Sequence, residues 1–338
     1  MRVLAIMGSP RRNGTGTKVV RQIEEELRKQ GDVEMTYLYL ADVDLKMCRG
    51  CFECISKGED RCPLKDDRVG IEGMMDRSDG IILVSPGYVQ NVSGLMKNFM
   101  DRFAYTNHRP RFFGKQMMLV ANGGAGLDKT LDALRIAIFG PHIVSELAYA
   151  KLPWPTSPKG DVKQEVKLRK AAEQFYRAMV EKDMRPSFSD YMRFRFFKSV
   201  AGSIGEWMPA DLAYYSALDQ YYYDFRIGAG MKLKAAVVMR IGSLFMGSMA
   251  PYAGDSKAMQ GMGPTTKMSR PSRDPDQVPV PGWNAIKVIK DGSGGSILPL
   301  KCWLKKEHGA RHGAELCTYF SSLLSTPSLM PLPTLLTT

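Results

Sequence analysis

The sequence predicts a doubly wound α/β fold built on a five-stranded parallel sheet. Two observations carry this. Through the first 150 residues short apolar runs alternate with helix-spaced stripes, and polar, glycine-rich loops follow the first, third and fourth runs. Strands separated by helices form parallel βαβ units with right-handed crossovers. In such a sheet the ligand site lies outside the carboxyl ends of the strands.

The elements follow in order. Arg2–Met7 ("RVLAIM") is a short apolar run ending in a Gly/Ser/Pro turn. From Thr17 to Gln30 apolar residues recur at Val19, Val20, Ile23 and Leu27, which is helix spacing. Glu34–Leu40 ("EMTYLYL") alternates as a strand does. A loop carrying cysteines comes next, and "DDRVGIEGMMDRSD" places acidic residues at a helix start. Gly80–Val84 ("GIILV") reads as a buried strand, Gly94–Tyr105 as a helix and Met117–Val120 ("MMLV") as the fourth strand. Leu127–Phe139 is the next helix and Ile143–Leu147 the fifth strand.

Three loops at the expected strand ends carry chemistry. The first, "GSPRRNGTGTK" (Gly8 to Lys18), lacks the spacing of a Walker P-loop and the third glycine of a dinucleotide fingerprint. Its hydroxyls at Ser9, Thr15 and Thr17, its guanidiniums at Arg11 and Arg12, and the helix that follows still compose an anion site. The bland alternative is a polar turn with a helix cap. In the second loop, "SPGYVQNVSGLMKNFMDR", Pro86 and Gly87 let backbone approach a flat ligand, Tyr88 can lie against a ring, and Asn91 and Ser93 offer polar edges or a cap. The third, "ANGGAG" (Ala121 to Gly126), offers bare backbone for close approach. Together they describe one site with a phosphate pocket and a planar-ring pocket.

Four of the six cysteines fall within fifteen residues, "CRGCFECISKGEDRC". Cys48, Cys51 and Cys54 are spaced by two residues, and Cys62 follows after seven. The opening "MRVLAIMGSP" has no long apolar run with a cleavage site, so a cytoplasmic location is expected, where clustered thiols act as metal or redox ligands. The net charge of +12 suits anionic partners. It is spread along the chain without a recognition motif, so nucleic-acid binding is not expected.

The three loops resemble the flavin-binding loops of the NAD(P)H-dependent FMN reductase family, which has a flavodoxin-like fold. The resemblance covers roughly residues 1–150. It implies that Ser9, Arg11, Asn13, Thr15, Gly16 and Thr17 hold the FMN phosphate. It places the isoalloxazine against Pro86, Gly87, Tyr88, Val89 and Asn91, and against Asn122, Gly123 and Gly124. The phosphate loop departs slightly from the family's usual G-S-P-R-x-x-x-N-T. Within the family, "CRGCFECISKGEDRCPLKDD" resembles the compact cysteine motif of the iron–sulfur flavoproteins. Closely spaced thiolates on a loop near the flavin end of the sheet can converge on a [4Fe–4S] cluster, with Cys48, Cys51, Cys54 and Cys62 as ligands. A zinc site and uncomplexed thiols remain open as alternatives. Cys302 and Cys317 lie far off and read as ordinary free thiols.

The expected organisation is a flavodoxin-like domain over 1–182, with the cysteine loop at 48–62, a helical aromatic-rich extension over 183–252 and a disordered tail over 253–338. "LPWPTSPKG" reads as a linker, and Val162, Val166, Phe175, Tyr176, Met179 and Val180 as a stripe packing on the sheet. The aromatic segments "DYMRFRFFKS" and "DLAYYSALDQYYYDFR" read as core and dimer contact, with a lid over the flavin as the sharper alternative. Met231–Met249 is apolar, but Arg240 at its centre argues against a spanning helix and for weak surface contact, with a membrane or another subunit. In the tail, "GWNAIKVIKDGSGG" reads as an isolated strand.

The function expected is an FMN-dependent oxidoreductase in which NAD(P)H delivers hydride to the flavin, and the flavin exchanges single electrons with the cluster or a ferredoxin-like carrier. No catalytic acid or base is named, and His108 and His142 read as structural. The family implies a homodimer or larger assembly. The rival is an electron carrier that binds the same cofactors and ignores NAD(P)H.

Overall fold

The computed structural model describes residues 1–151 and 157–246. Most of the expected linker, the expected tail with its isolated strand, and Cys302 and Cys317 lie outside them. Five parallel strands form the sheet: β1 (Arg2–Met7), β2 (Glu34–Tyr39), β3 (Gly80–Pro86), β4 (Gln116–Gly123) and β5 (His142–Ala150). Their order is β2-β1-β3-β4-β5, the flavodoxin-like order, which reverses direction between β1 and β3. β1, β3 and β4 read as continuous apolar runs because both their faces are covered.

Helices cover the two faces. On one face α1 (Thr15–Arg28) buries Val19, Val20, Ile23 and Leu27 against Val3, Ala5 and Val84. It shares that layer with α6 (Pro158–Glu181). Between β2 and β3 lie a single turn, α2 (Glu53–Ser56), and α3 (Arg68–Arg77). The helices α3, α4 (Gly94–Arg102) and α5 (Leu127–Arg135) pack on Leu4, Ile6, Leu83 and Leu119 across the other face. The extension forms α7 (Phe188–Ser203), α8 (Pro209–Ser216) and α9 (Ala229–Met246) around its own core of Tyr191, Phe194, Tyr215, Tyr221 and Tyr222.

Several expectations shift. α1 starts at Thr15, so Gly16 and Thr17 belong to its first turn. β3 continues to Pro86, paired with Asn122, because Ser85 and Pro86 still find ladder partners on β4. α5 ends at Arg135, before Phe139. On α6 the buried stripe is Leu168, Ala171, Ala172, Phe175 and Met179, whereas Val162, Val166 and Val180 are exposed. The valines are strongly apolar but lie off the face set by Phe175 and Met179. The two alanines lie on that face, where their small side chains allow close approach to the sheet layer.

Asp67 sits at the N-cap of α3 without a side-chain bond to the helix, and Asp66 accepts the N–H of Arg68, the first residue of α3, at 3.3 Å. The Asp67 carboxylate instead accepts the backbone N–H of Asp44 at 2.8 Å, and Asp66 accepts that of Lys46 at 3.0 Å. They tie the two ends of the cysteine-bearing connection together.

The extension does not sit over the three polar loops. Tyr215 donates to the carbonyl of His108 at 2.6 Å, Tyr214 donates to that of Pro110 at 2.7 Å, and Phe113 stacks on Tyr222 at 5.1 Å. These partners immediately precede β4, at the amino ends of the strands. The lid alternative therefore places the aromatic rings at the wrong pole. Among the described residues no helix is long and apolar enough to cross a membrane.

Candidate functional site

The loops after β1, β3 and β4 are locked to one another by hydrogen bonds. The Gly8 N–H donates to Val84 at 2.8 Å, the Ser93 hydroxyl donates to the carbonyl of Gly8, and the Gly87 N–H donates to Asn122 at 2.8 Å. Ser93 also caps α4 by accepting the N–H of Met96 at 3.2 Å. A side chain at Gly8 would meet Met96 and the Val84 carbonyl at 3.0 Å and press on both.

The start of α1 faces this junction. Its N-cap is Gly14, which has no side chain to accept the first N–H groups, and no acidic residue occupies the first turn. The helix thus keeps an uncompensated positive end. Arg11 and Asn13 are exposed beside it, and Ser9 and Thr15 half-buried. Gly16 is buried, and a methyl group there would lie 3.0 Å from the side-chain oxygen of Asn122. That oxygen is itself buried and without a donor among the described residues. Thr17 turns inward. Its hydroxyl lies 3.3 Å from the Tyr39 hydroxyl and 3.4 Å from the Arg11 carbonyl. Arg12 is drawn aside to Asp42 at 2.6 Å.

In the second loop Tyr88 and Asn91 exchange backbone hydrogen bonds of 2.9 and 3.0 Å around Val89 and Gln90, whose φ angles are 52° and 57°. Two consecutive positive φ values make a tight hairpin turn. A β-branched residue in that region is strained, and Val89 is fully exposed as well. Pro86 and Asn122 are buried beneath the turn, Gly87 and Gly123 are half-buried, and Gly124 is exposed. The structure thus brings the residues expected at the phosphate and the ring around one opening at the switch point.

The cysteine loop starts near this opening and runs away from it. The N–H of Cys48 donates to the Asn98 side chain at 3.1 Å, and Asn98 also donates to the Leu45 carbonyl at 2.9 Å. Cys62 is buried at the far end of α4, where Arg102 Nη1 donates to its Sγ at 3.1 Å. Ser93 and Arg102 are nine positions apart, about 13 Å along the helix. The loop is therefore not confined to the flavin end of the sheet, because its later thiols follow α4 downward.

Arg109 fastens the middle of the loop. It donates to the carbonyls of Cys54 and Ile55 and pairs with Glu59 and with Asp211 of α8. The Cys54 thiol is pushed above its ordinary pKa by burial first, then by the negative potential of Cys62, Cys48 and Cys51, with Arg109 opposing. The thiols thus feel one another electrostatically. Among the described residues, however, they do not stand as an assembled metal site.

The donor chemistry still fits an anionic sulfur centre. Arg102 is buried, its Nη2 donates to both carboxylate oxygens of Asp66 at 2.7 and 2.6 Å, and its buried Nε has no acceptor among the described residues. Sequence reasoning gave no role to Asn98, Arg102, Arg109 or Asp211. Only Arg102 left a signal: it follows Phe99 on the inner face of an apolar helix, where a lone cation needs a partner.

Residues 1–150 match the family model described as NADPH-dependent FMN reductase. The chain is also 36% identical over 115 residues to an iron-sulfur flavoprotein of Archaeoglobus fulgidus, covering 34% of this chain and 51% of that one. It is 38% identical over 127 residues to one of Methanocaldococcus jannaschii, covering 38% and 62%. It is 28% identical over 198 residues to one of Clostridioides difficile, covering 57% and 86%. The chain thus spans about half of the Archaeoglobus relative's own length. The flavodoxin-like sheet, its switch point and the three locked loops all fall within residues 1–150.

Proposed function

We propose that the chain is an FMN-dependent oxidoreductase that takes electrons from NAD(P)H and passes them through a [4Fe–4S] cluster to a ferredoxin-like acceptor. The observation that carries the flavin is the bare N-terminus of α1, with no side-chain cap and no acid, facing the unpaired Asn122 oxygen across Gly16. The N–H groups of that turn and Arg11 would hold the phosphate, with Ser9, Asn13 and Thr15 around it. Thr17 would support the loop from behind, since its hydroxyl is already engaged. The loops at 86–91 and 122–124 would grip the ring with bare backbone and the half-exposed face of Tyr88.

Bound FMN would supply both hydride and single-electron chemistry. The protein's part is position. Ser93 holds the first and second loops in register, and the Gly87–Asn122 hydrogen bond holds the second to the third. No side chain is assigned as acid or base. His108 Nδ1 lies 2.9 Å from Asp211 in the contact with the extension, which is a structural position.

The cluster would be held by Cys48, Cys51, Cys54 and Cys62, with Arg102 donating to the last. The iron-sulfur flavoproteins among the relatives support this reading. In the homodimer that the family resemblance implies, the cluster would serve the flavin of a neighbouring subunit.

The test is made without oxygen on protein supplied with iron and sulfide. Iron, sulfide and flavin per chain are measured, with the rates of flavin bleaching by NADH and NADPH. Cys54→Ser should lose the broad iron–sulfur absorbance, keep its flavin and still accept hydride, while transfer to ferredoxin falls sharply. Flavin that neither nicotinamide bleaches would favour the electron-carrier reading. Unmodified protein without iron and sulfide would refute the cluster.

A further inference from the structure

At the pole opposite the flavin loops, a cavity of about 230 Å³ opens between the reductase sheet and the aromatic extension. Gln116 and His142, the first residues of β4 and β5, are among the residues that line it. Gln116 and Asn122 are six residues apart on β4, so cavity and flavin loops are separated by roughly 20 Å.

Aromatic rings form part of the walls. Phe113 stacks on Tyr222 at 5.1 Å on one side, and Phe139 stands on another with the Arg193 guanidinium 3.7 Å from its ring centre. The charged groups around the cavity differ in what already occupies them. Arg135 is held by Glu146 and Asp132, and Arg185 by Asp183. Asp190 accepts from the backbone N–H and the hydroxyl of Ser187 in a capping box. Arg193 has no carboxylate partner among the described residues and rests only on the Phe139 ring.

Gln116 supplies a second, independent observation. Its side chain is only 2% exposed, it lines the cavity, and its amide nitrogen has no acceptor among the described residues. A buried donor left unpaired is costly, and a ligand acceptor would relieve that cost once the Gln116 amide turns towards the cavity. The cavity therefore offers a cation among aromatic side chains, with an unpaired amide beside it.

We propose that this cavity is a second binding site, for a small planar arene carboxylate. Arg193 and Gln116 donate to the carboxylate, and Phe113, Phe139 and Tyr222 enclose the ring. Such a ligand is too far from the flavin loops to be the hydride acceptor. It bridges β4, the 108–114 segment and α7, and so joins the extension to the sheet.

The test is calorimetric titration of the full chain, as purified and with its flavin content measured, using naphthalene-2-carboxylate as the probe. Saturable binding with Kd below about 1 mM is expected, with no release of flavin. The uncharged 2-naphthamide should bind at least about tenfold more weakly. Arg193→Gln should weaken naphthoate binding at least about tenfold. Gln116→Leu should weaken it about fivefold while leaving the melting temperature unchanged or raised, because no existing hydrogen bond is lost. Should Arg193→Gln unfold through loss of its contact with Phe139, the Gln116 variant and the naphthamide still decide. No saturable binding, equal affinity for the amide, or affinity unaffected by Gln116→Leu would overturn the proposal. So would displacement of flavin by naphthoate, which would move the site to the other pole.

Discussion

Replacing Asp211 by alanine tests whether the extension holds the cysteine loop in place. Arg109 is only 4% exposed and binds Asp211 on one side and the Cys54 and Ile55 carbonyls on the other. Removing one member of a buried ion pair typically costs about 3–5 kcal/mol, because the remaining charge stays buried. Glu59 remains 3.3 Å from Arg109 and is partly exposed to water. It compensates in part, which sets the expectation near the lower bound, about 3 kcal/mol. At about 2–4 °C per kcal/mol for a domain of this size, the melting temperature should fall by about 6–12 °C. Asp211→Asn keeps the shape and one acceptor and should fall between the two proteins. Thermal unfolding followed by circular dichroism gives the first number. The second assay is the iodoacetamide reaction rate of the loop thiols in metal-free, reduced protein below the melting transition. Cys54 should react faster in Asp211→Ala, since the clamp on its carbonyl is weakened. A variant that melts with the unmodified protein, or whose thiols react at the original rate, would refute the idea that α8 braces the loop.

Arg11→Ala should weaken FMN binding by roughly ten- to a hundredfold, from the usual value of a charge-assisted phosphate contact; unchanged affinity measured by flavin fluorescence would remove Arg11 from the phosphate site. Gly140→Ala should destabilise the fold by on the order of 3 kcal/mol or more, because its φ is 124° and a methyl group there would collide with the Arg111 carbonyl. A urea titration showing less than about 1 kcal/mol would contradict that geometry. Burial, the largest cause, pushes Tyr222 and Tyr223 up to about 12, above about 10 for the unfolded chain. The folded state then holds these protons more tightly. Their contribution is intact below about pH 10 and is lost as pH rises towards about 12, at up to about 1.4 kcal/mol per pH unit for each tyrosine and less for the more exposed Tyr223. Stability from urea unfolding at about pH 9 and pH 11 checks this; a phenolate signal near pH 10 in the still-folded chain that disappears in the Tyr222→Phe and Tyr223→Phe variants would contradict it.

The strands were legible because a parallel strand buried on both faces needs an unbroken apolar run, and "VLAIM", "GIILV" and "MMLV" are such runs. The site loops were legible for a related reason. A doubly wound sheet puts its ligand at the strand ends, and those ends carry glycine and hydroxyl residues. The α6 stripe was misjudged because periodicity weights large valines, while the packed face is marked partly by Ala171 and Ala172.

The sequence by itself determined the sheet, the three candidate flavin loops and the clustering of the four thiols, since each depends on residues close together along the chain. Only the tertiary structure decided what surrounds them. Asp66 meets Arg102 across 36 positions, and Arg109 meets Asp211 across 102. Arg193 meets Phe139, and the unpaired Gln116 opens on the cavity they help to line, through contacts between elements far apart in the chain. No local pattern encodes such meetings. A buried charge or amide acquires its role from whichever distant group the packing of the helices brings within reach.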